Sequence, residues 1–144
     1  MPFVSEAQRS YLKREHPAVY ERFVRDERRM GFQLAAPADV AAVAKRAIAL
    51  REEHRRGGTQ VGITRANQLA KREVVSIDTV KRMVAYFDRH AKDLEAPAVR
   101  PGHPDYPSAG RIAWDLWGGD AGRAWAKRQL KVWERVQAAN KEQP

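Results

Sequence analysis

The chain reads as all-α, a single domain of about six helices that include a helix-turn-helix-like pair. Three observations predict the class. Apolar residues recur at spacings of three and four, no two-residue alternation lasts for a strand's length, and glycines and prolines gather between the periodic segments. With 144 residues the chain is one ordinary domain, long enough to bury most of its apolar side chains. Residues 1–36 are expected as an N-terminal helical arm and 37–144 as the helical core.

Ser5 is placed to cap a first helix with Tyr11 and Leu12 on its apolar side. Pro17 fits the first turn of a second, where its missing N–H costs nothing, and Gly31 is placed to stop it. The stretch from Ala36 to Gly58 carries Asp39 near its start, then Val40, Val43, Ile48 and Leu50, and ends on a charged tail and two glycines. A short helix is expected around Thr64 to Lys71. A tight corner follows, then a longer helix from Ile77 to about Ala91 with Ser76 as N-cap and Ile77, Val80, Val84, Phe87 and Ala91 in one stripe. Residues 94–108 hold four prolines and one glycine, a loop pinned by stiff turns. Ser108 then caps a short buried helix, and Asp120 caps a terminal helix over residues 121–140.

Lys and Arg number 27 against 18 Asp and Glu, a net charge of +9 that favours a polyanionic partner. The excess is concentrated, because residues 64–92 and 121–144 carry +4 each while 93–120 carry −3. The absence of cysteine excludes disulfides, thiolate metal sites and cysteine nucleophiles. The start MPFVSEAQRS lacks a basic leader with an apolar core, and no run approaches a bilayer span, so a cytoplasmic protein without a membrane partner is expected.

The stretch LAKREVVSIDTVKRM, Leu69 to Met83, has the cadence of helix, corner and helix. A DNA-reading helix-turn-helix asks for a small residue in its first helix, a small or left-handed residue at the turn, and apolar residues that hold the second helix. Leu69 and Ala70 meet the first demand, and Val80 and Met83 the third. At the turn Val74 replaces the usual glycine. A β-branched residue resists positive φ, so the turn must be made another way or the crossing differs. Read as a DNA contact, Ser76, Asp78, Thr79, Lys81 and Arg82 face the groove, with Arg89 and Lys92 on phosphates. Read as architecture alone, the same residues cap and pack two core helices.

In the terminal helix Lys127, Lys131 and Arg135 recur every four residues with Arg128 beside them, while Trp125, Val132, Trp133 and Val136 take another side. Such a ridge neutralises phosphates without reading sequence, or is a solvated face and nothing more. No nucleophile and base stand together. His90 adjoins Asp88 and Arg89 too closely in sequence to face them, and His103 with Asp105 are too few ligands for a metal. The turn WGGDAG, Trp117 to Gly122, lacks the lysine and hydroxyl of a phosphate-binding loop. Trp114, Trp117, Trp125 and Trp133 are either stacking platforms for bases or core. No catalytic residue, metal or cofactor is expected.

Three stretches, GGTQVGITRANQLA, SIDTVKRMVAYFDRH and PSAGRIAWDLWGGDAGRAWA, together resemble a module of bacteriophage and prophage proteins associated with head-morphogenesis and prohead-protease genes. The resemblance covers residues 57–126. The opening, through Ser5, Ala7, Gln8, Arg9, Tyr11, His16 and Pro17, resembles an N-terminal motif of small phage proteins. It implies a phage origin and no particular reaction, and the protease of larger relatives is not expected here. Some of Arg65, Arg82, Arg89, His90, Arg111 and Asp120, shared with the module, are expected to form an internal ion-pair network around the WGGDAG turn.

The resulting expectation is a phage-encoded, basic, non-enzymatic protein that contacts duplex nucleic acid through the helix from Ser76 to Lys92 and the ridge of Lys127, Arg128, Lys131 and Arg135. The alternative is a virion structural or head-assembly component acting through protein–protein contacts. Host cytoplasm or the virion is the expected place. Oligomerisation stays open, since no heptad seam marks a dimer interface.

Overall fold

The computed structural model describes Phe3 and residues 5–142. The described residues are all-α: α1 (Glu6–Glu15), α2 (Pro17–Arg29), α3 (Ala38–His54), α4 (Gln60–Ala70), α5 (Ile77–His90), α6 (Ala109–Leu116) and α7 (Gly119–Glu142). The proline-rich stretch between α5 and α6 is a loop with two short 3-10 turns, Ala91–Glu95 and Pro97–Val99. One antiparallel bridge, Ala35 to Val74, is the strand-like pairing among the described residues.

Side-chain caps set several boundaries. Ser5, Ser76 and Ser108 accept the N–H groups of Gln8, Thr79 and Arg111 at 3.0–3.1 Å, as their positions predict. Thr59 does the same for Gly62 at 3.3 Å, so α4 begins four residues before Thr64. Gly62 falls in that first turn, where a glycine costs little helix stability. Asp120 is not a cap, because α7 already begins at Gly119 and Asp120 instead accepts the indole N–H of Trp114 at 3.0 Å. The left-handed residue that ends α3 is Arg55, with φ 53°, and not a glycine. Gly57 serves a different need, since a Cβ there would stand 2.7 Å from Ile112 Cβ.

Ala41, Ala44 and Ala47 of α3 are buried, and their small side chains let α4, α6 and α7 approach it. Trp114, Trp125, Phe87, Leu69, Ile77 and Met83 fill the centre, each fully buried. Trp117 is buried as well, whereas Trp133 is only partly so. The stripe of α5 turns inward as its spacing predicts, with Ile77, Val80 and Phe87 fully buried and Val84 and Ala91 half-buried. The helices α5 and α7 run antiparallel. Asp88 pairs with Arg123 at 3.1 Å near one end, and the Lys81 ammonium lies 5.2 Å over the Trp133 ring near the other.

The first 36 residues are fastened to this centre at both ends. Phe3 is fully buried between Tyr20 and Phe23, at 5.2 Å from each ring. Its N–H donates to Glu27 Oε1 at 2.8 Å, and its carbonyl accepts the Ile77 N–H at 3.0 Å. Gln33 donates its N–H to Gln129 Oε1 at 2.7 Å and accepts the Trp125 indole N–H at 2.8 Å.

Candidate nucleic-acid interface

The corner between α4 and α5 is longer than the three or four residues of a helix-turn-helix turn, spanning positions 71–76. The positive φ that Val74 resists is taken by Arg72, at 54°, whose Nε also donates to the Ala36 carbonyl at 2.7 Å. Val74 is thereby free to stay extended in its bridge to Ala35, and the Val75 N–H donates to the Leu34 carbonyl at 2.9 Å. The two helices then turn to different neighbours, α4 to α3 and α6, and α5 to α7.

The start of α5, which a DNA reader would insert, is occupied by the protein itself. Glu6 Oε1 accepts the Ser76 N–H at 3.1 Å and the Thr79 hydroxyl at 2.5 Å, with the Ser76 hydroxyl at 3.2 Å. Glu6 Oε2 meets Arg9 Nε at 3.0 Å. Burial pushes the Glu6 carboxyl up, but the hydrogen bonds from Thr79 and Ser76 and the charge of Arg9 outweigh it, and its pKa lies below the ordinary range. Ser76 and Thr79, expected on the groove-facing side, are therefore fully buried and engaged. A base edge has no path to either while the arm is in place.

Beneath Thr79 lies Arg65, also buried. Its Nη1 donates to Gln68 Oε1 and to Thr79 Oγ1, and its guanidinium stands 5.4 Å over the Trp117 ring. Among the described residues the charged side chains around the WGGDAG turn form separate local contacts and no continuous network. Arg111 grips Asp115 through two bonds of 3.1 Å, Arg82 pairs with Asp78 at 2.9 Å, and His90 Nδ1 with Asp93 at 2.9 Å. Asp115 takes the place expected of Asp120. Burial raises its pKa despite the Arg111 charge.

The other basic residues of α5 are exposed but divided. Lys81 leans over Trp133 toward α7, Arg82 is held by Asp78, Arg89 lines a cavity on the side of α4 and α6, and Lys92 stands in the 3-10 turn beyond the helix. On α7 the pattern is different. Trp125, Ala126, Gln129 and Val132 face inward, and Lys127, Arg128, Lys131 and Arg135 are all exposed on the opposite side. None of the four makes an ion pair among the described residues. Arg128, Lys131 and Arg135 also edge a shallow trough of about 730 Å³ whose far wall is Gly31 and Gln33, with Glu134 its acidic member. The wall depends on the Gln33 bonds to α7, which join positions 92 and 96 residues apart and leave no local mark in the sequence.

Among the described residues no group of three or more His, Asp or Glu side chains is placed to hold a metal ion. His103 Nδ1 accepts the Asp105 N–H at 3.1 Å, a bond internal to the loop. No described helix is long and apolar enough to cross a membrane. No family model, curated protein or solved structure matches the chain.

Proposed function

We propose that this is a basic, non-enzymatic protein that binds duplex nucleic acid through phosphate contacts, with the α7 ridge as its principal surface and without reading base sequence. The observation that carries the proposal is the ridge itself: four cations on one exposed helical face, unpaired among the described residues, with a basic trough beside them. From Lys127 to Arg135 the helix rises about 12 Å. Along a duplex that length presents about seven phosphate charges, enough for each cation to find one.

The burial of Ser76 and Thr79 counts against base readout by the start of α5, and the proposal is narrowed accordingly. Lys81, Arg82, Arg89 and Lys92 are left at most as outlying phosphate contacts. A phage setting belongs to the same proposal and is supported by the resemblance of residues 57–126 to phage-encoded modules.

The test is fluorescence anisotropy with two duplexes of unrelated sequence and equal length. Equal affinities that fall steeply with salt are expected. A preference for one duplex that survives high salt would place base contacts at the centre of recognition and overturn the reading.

A further inference from the structure

A cavity of about 660 Å³ opens between the start of α4, one side of α5 and α6. Its apolar surface comes from small residues, Ala85, Ala109 and Ala113 among them, and from Val61, which is 54% exposed. None of the four ridge residues lines it, although Arg82 and Arg89, the outlying phosphate contacts, do.

Tyr86 and Trp117 line it too. Their rings stack at 4.5 Å within 9° of parallel, and each residue is only 7% exposed. Yet neither Tyr86 Oη nor Trp117 Nε1 has a hydrogen-bond partner among the described residues, whereas the indoles of Trp114 and Trp125 donate to Asp120 and Gln33. Among the described residues the enclosed polar atoms without a partner are Arg65 Nε and Arg123 Nε, so the Tyr86 and Trp117 donors reach solvent and are open to an acceptor. Gly62 keeps the approach clear, because a Cβ there would stand 3.3 Å from Trp117 Nε1.

The charge at the rim sets the sign of that acceptor. Arg82 and Arg89 both line the cavity, and Arg89 is exposed with no ion pair among the described residues. The carboxylate of Asp93 also lines it, with its Oδ2 on His90 Nδ1 at 2.9 Å, and its charge and that of Asp115 act on the Tyr86 hydroxyl against that of Arg89. Volume, apolar walls and a few convergent polar groups are the ordinary attributes of a small-molecule site.

We propose that this cavity binds a small organic anion with an apolar body. The charged oxygens take the Trp117 N–H, the Tyr86 O–H and the Arg89 guanidinium, and the apolar part rests on Ala85, Ala113 and Val61.

The test uses the indole N–H signals of the four tryptophans in a nitrogen–proton correlation spectrum, with the Trp117 signal assigned by Trp117→Phe. The protein is titrated separately with benzoate and with phenyl phosphate. The Trp117 signal should move and saturate at roughly millimolar concentration with at least one of them, while the Trp125 signal stays in place. Movement with benzoate alone assigns a carboxylate ligand, and with phenyl phosphate alone a phosphomonoester. Tyr86→Phe and the exposed Arg89→Gln should each weaken binding by about tenfold, as loss of one hydrogen bond to a charged group does, without lowering the melting temperature. A Trp117 signal that stays still with both anions, or binding that is the same in both variants as in the unaltered protein, would overturn the proposal.

Discussion

Residues 64–92 and 121–144 carry the same net charge of +4, but the fold treats them in opposite ways. In the first, the polar start of α5 is turned inward and neutralised by Glu6, one arginine is buried beneath it, and another is tied to Asp78. In the second, four cations stand on one face with no carboxylate bound to them among the described residues. Net charge is thus a poor guide to a binding surface. What matters is whether the cations are already partnered, because a paired arginine releases few counterions when a phosphate arrives.

The largest effect should come from the second region. Replacing Lys127, Arg128, Lys131 and Arg135 together by alanine removes four phosphate contacts. Between 50 and 200 mM salt those four are expected to account for about a hundredfold of the affinity lost by the unaltered protein. All four are exposed, so the melting temperature should hardly change, and a variant that unfolds instead would show the ridge to be structural.

The first region is broken most directly at Glu6. Glu6→Ala leaves the Ser76 N–H, the Thr79 hydroxyl and Arg65 buried around an empty place, and should cost about 2–3 kcal/mol in urea unfolding. Unfolding at the original midpoint would mean that the arm does not hold α5.

A pH series separates that contact from a second one in the arm. Burial raises the Glu27 carboxyl from 4.5 to about 7, against the lowering pull of the Phe3 N–H and the chain terminus. Its folded form holds the proton more tightly than the unfolded form, so stability falls as pH rises from 4.5 to about 7 and is level above. Glu27→Gln should therefore stabilise the protein by about 3 kcal/mol at pH 8 and leave it unchanged at pH 4. The depressed Glu6 works in the opposite direction and in a lower window: its contribution is complete above 4.5 and is lost as pH falls through its folded value. Thermal melts across pH 3–8 of the two single variants check both signs.

The smallest effect is expected from Lys81→Ala with Arg82→Ala, below about threefold on duplex affinity, because one side chain lies over Trp133 and the other is paired. A loss as large as that of the ridge variant would erase the distinction between the two regions.

The helices were largely legible in the sequence because their signals are local. Ser5, Ser76 and Ser108 cap where their positions predict, and the apolar spacing of α5 and α7 names their buried faces. The exposure of the ridge followed from the same periodicity. The fate of Ser76 and Thr79 did not, since a hydroxyl facing water and one facing a carboxylate 70 positions away look alike in a sequence. Nor did the turn at Arg72. Arginine rarely takes positive φ, and here its side chain is anchored to the Ala36 carbonyl in a segment far along the chain.

The central claim is that duplex binding runs through unpaired cations on α7 and is indifferent to base sequence. The most direct measurement is the slope of log affinity against log salt for a random-sequence duplex, in the unaltered protein and in the fourfold alanine variant of the ridge. The slope should become shallower by about 3.6, the share of four phosphate contacts. An unchanged slope in the variant would contradict the account and return the duplex to another face of the molecule.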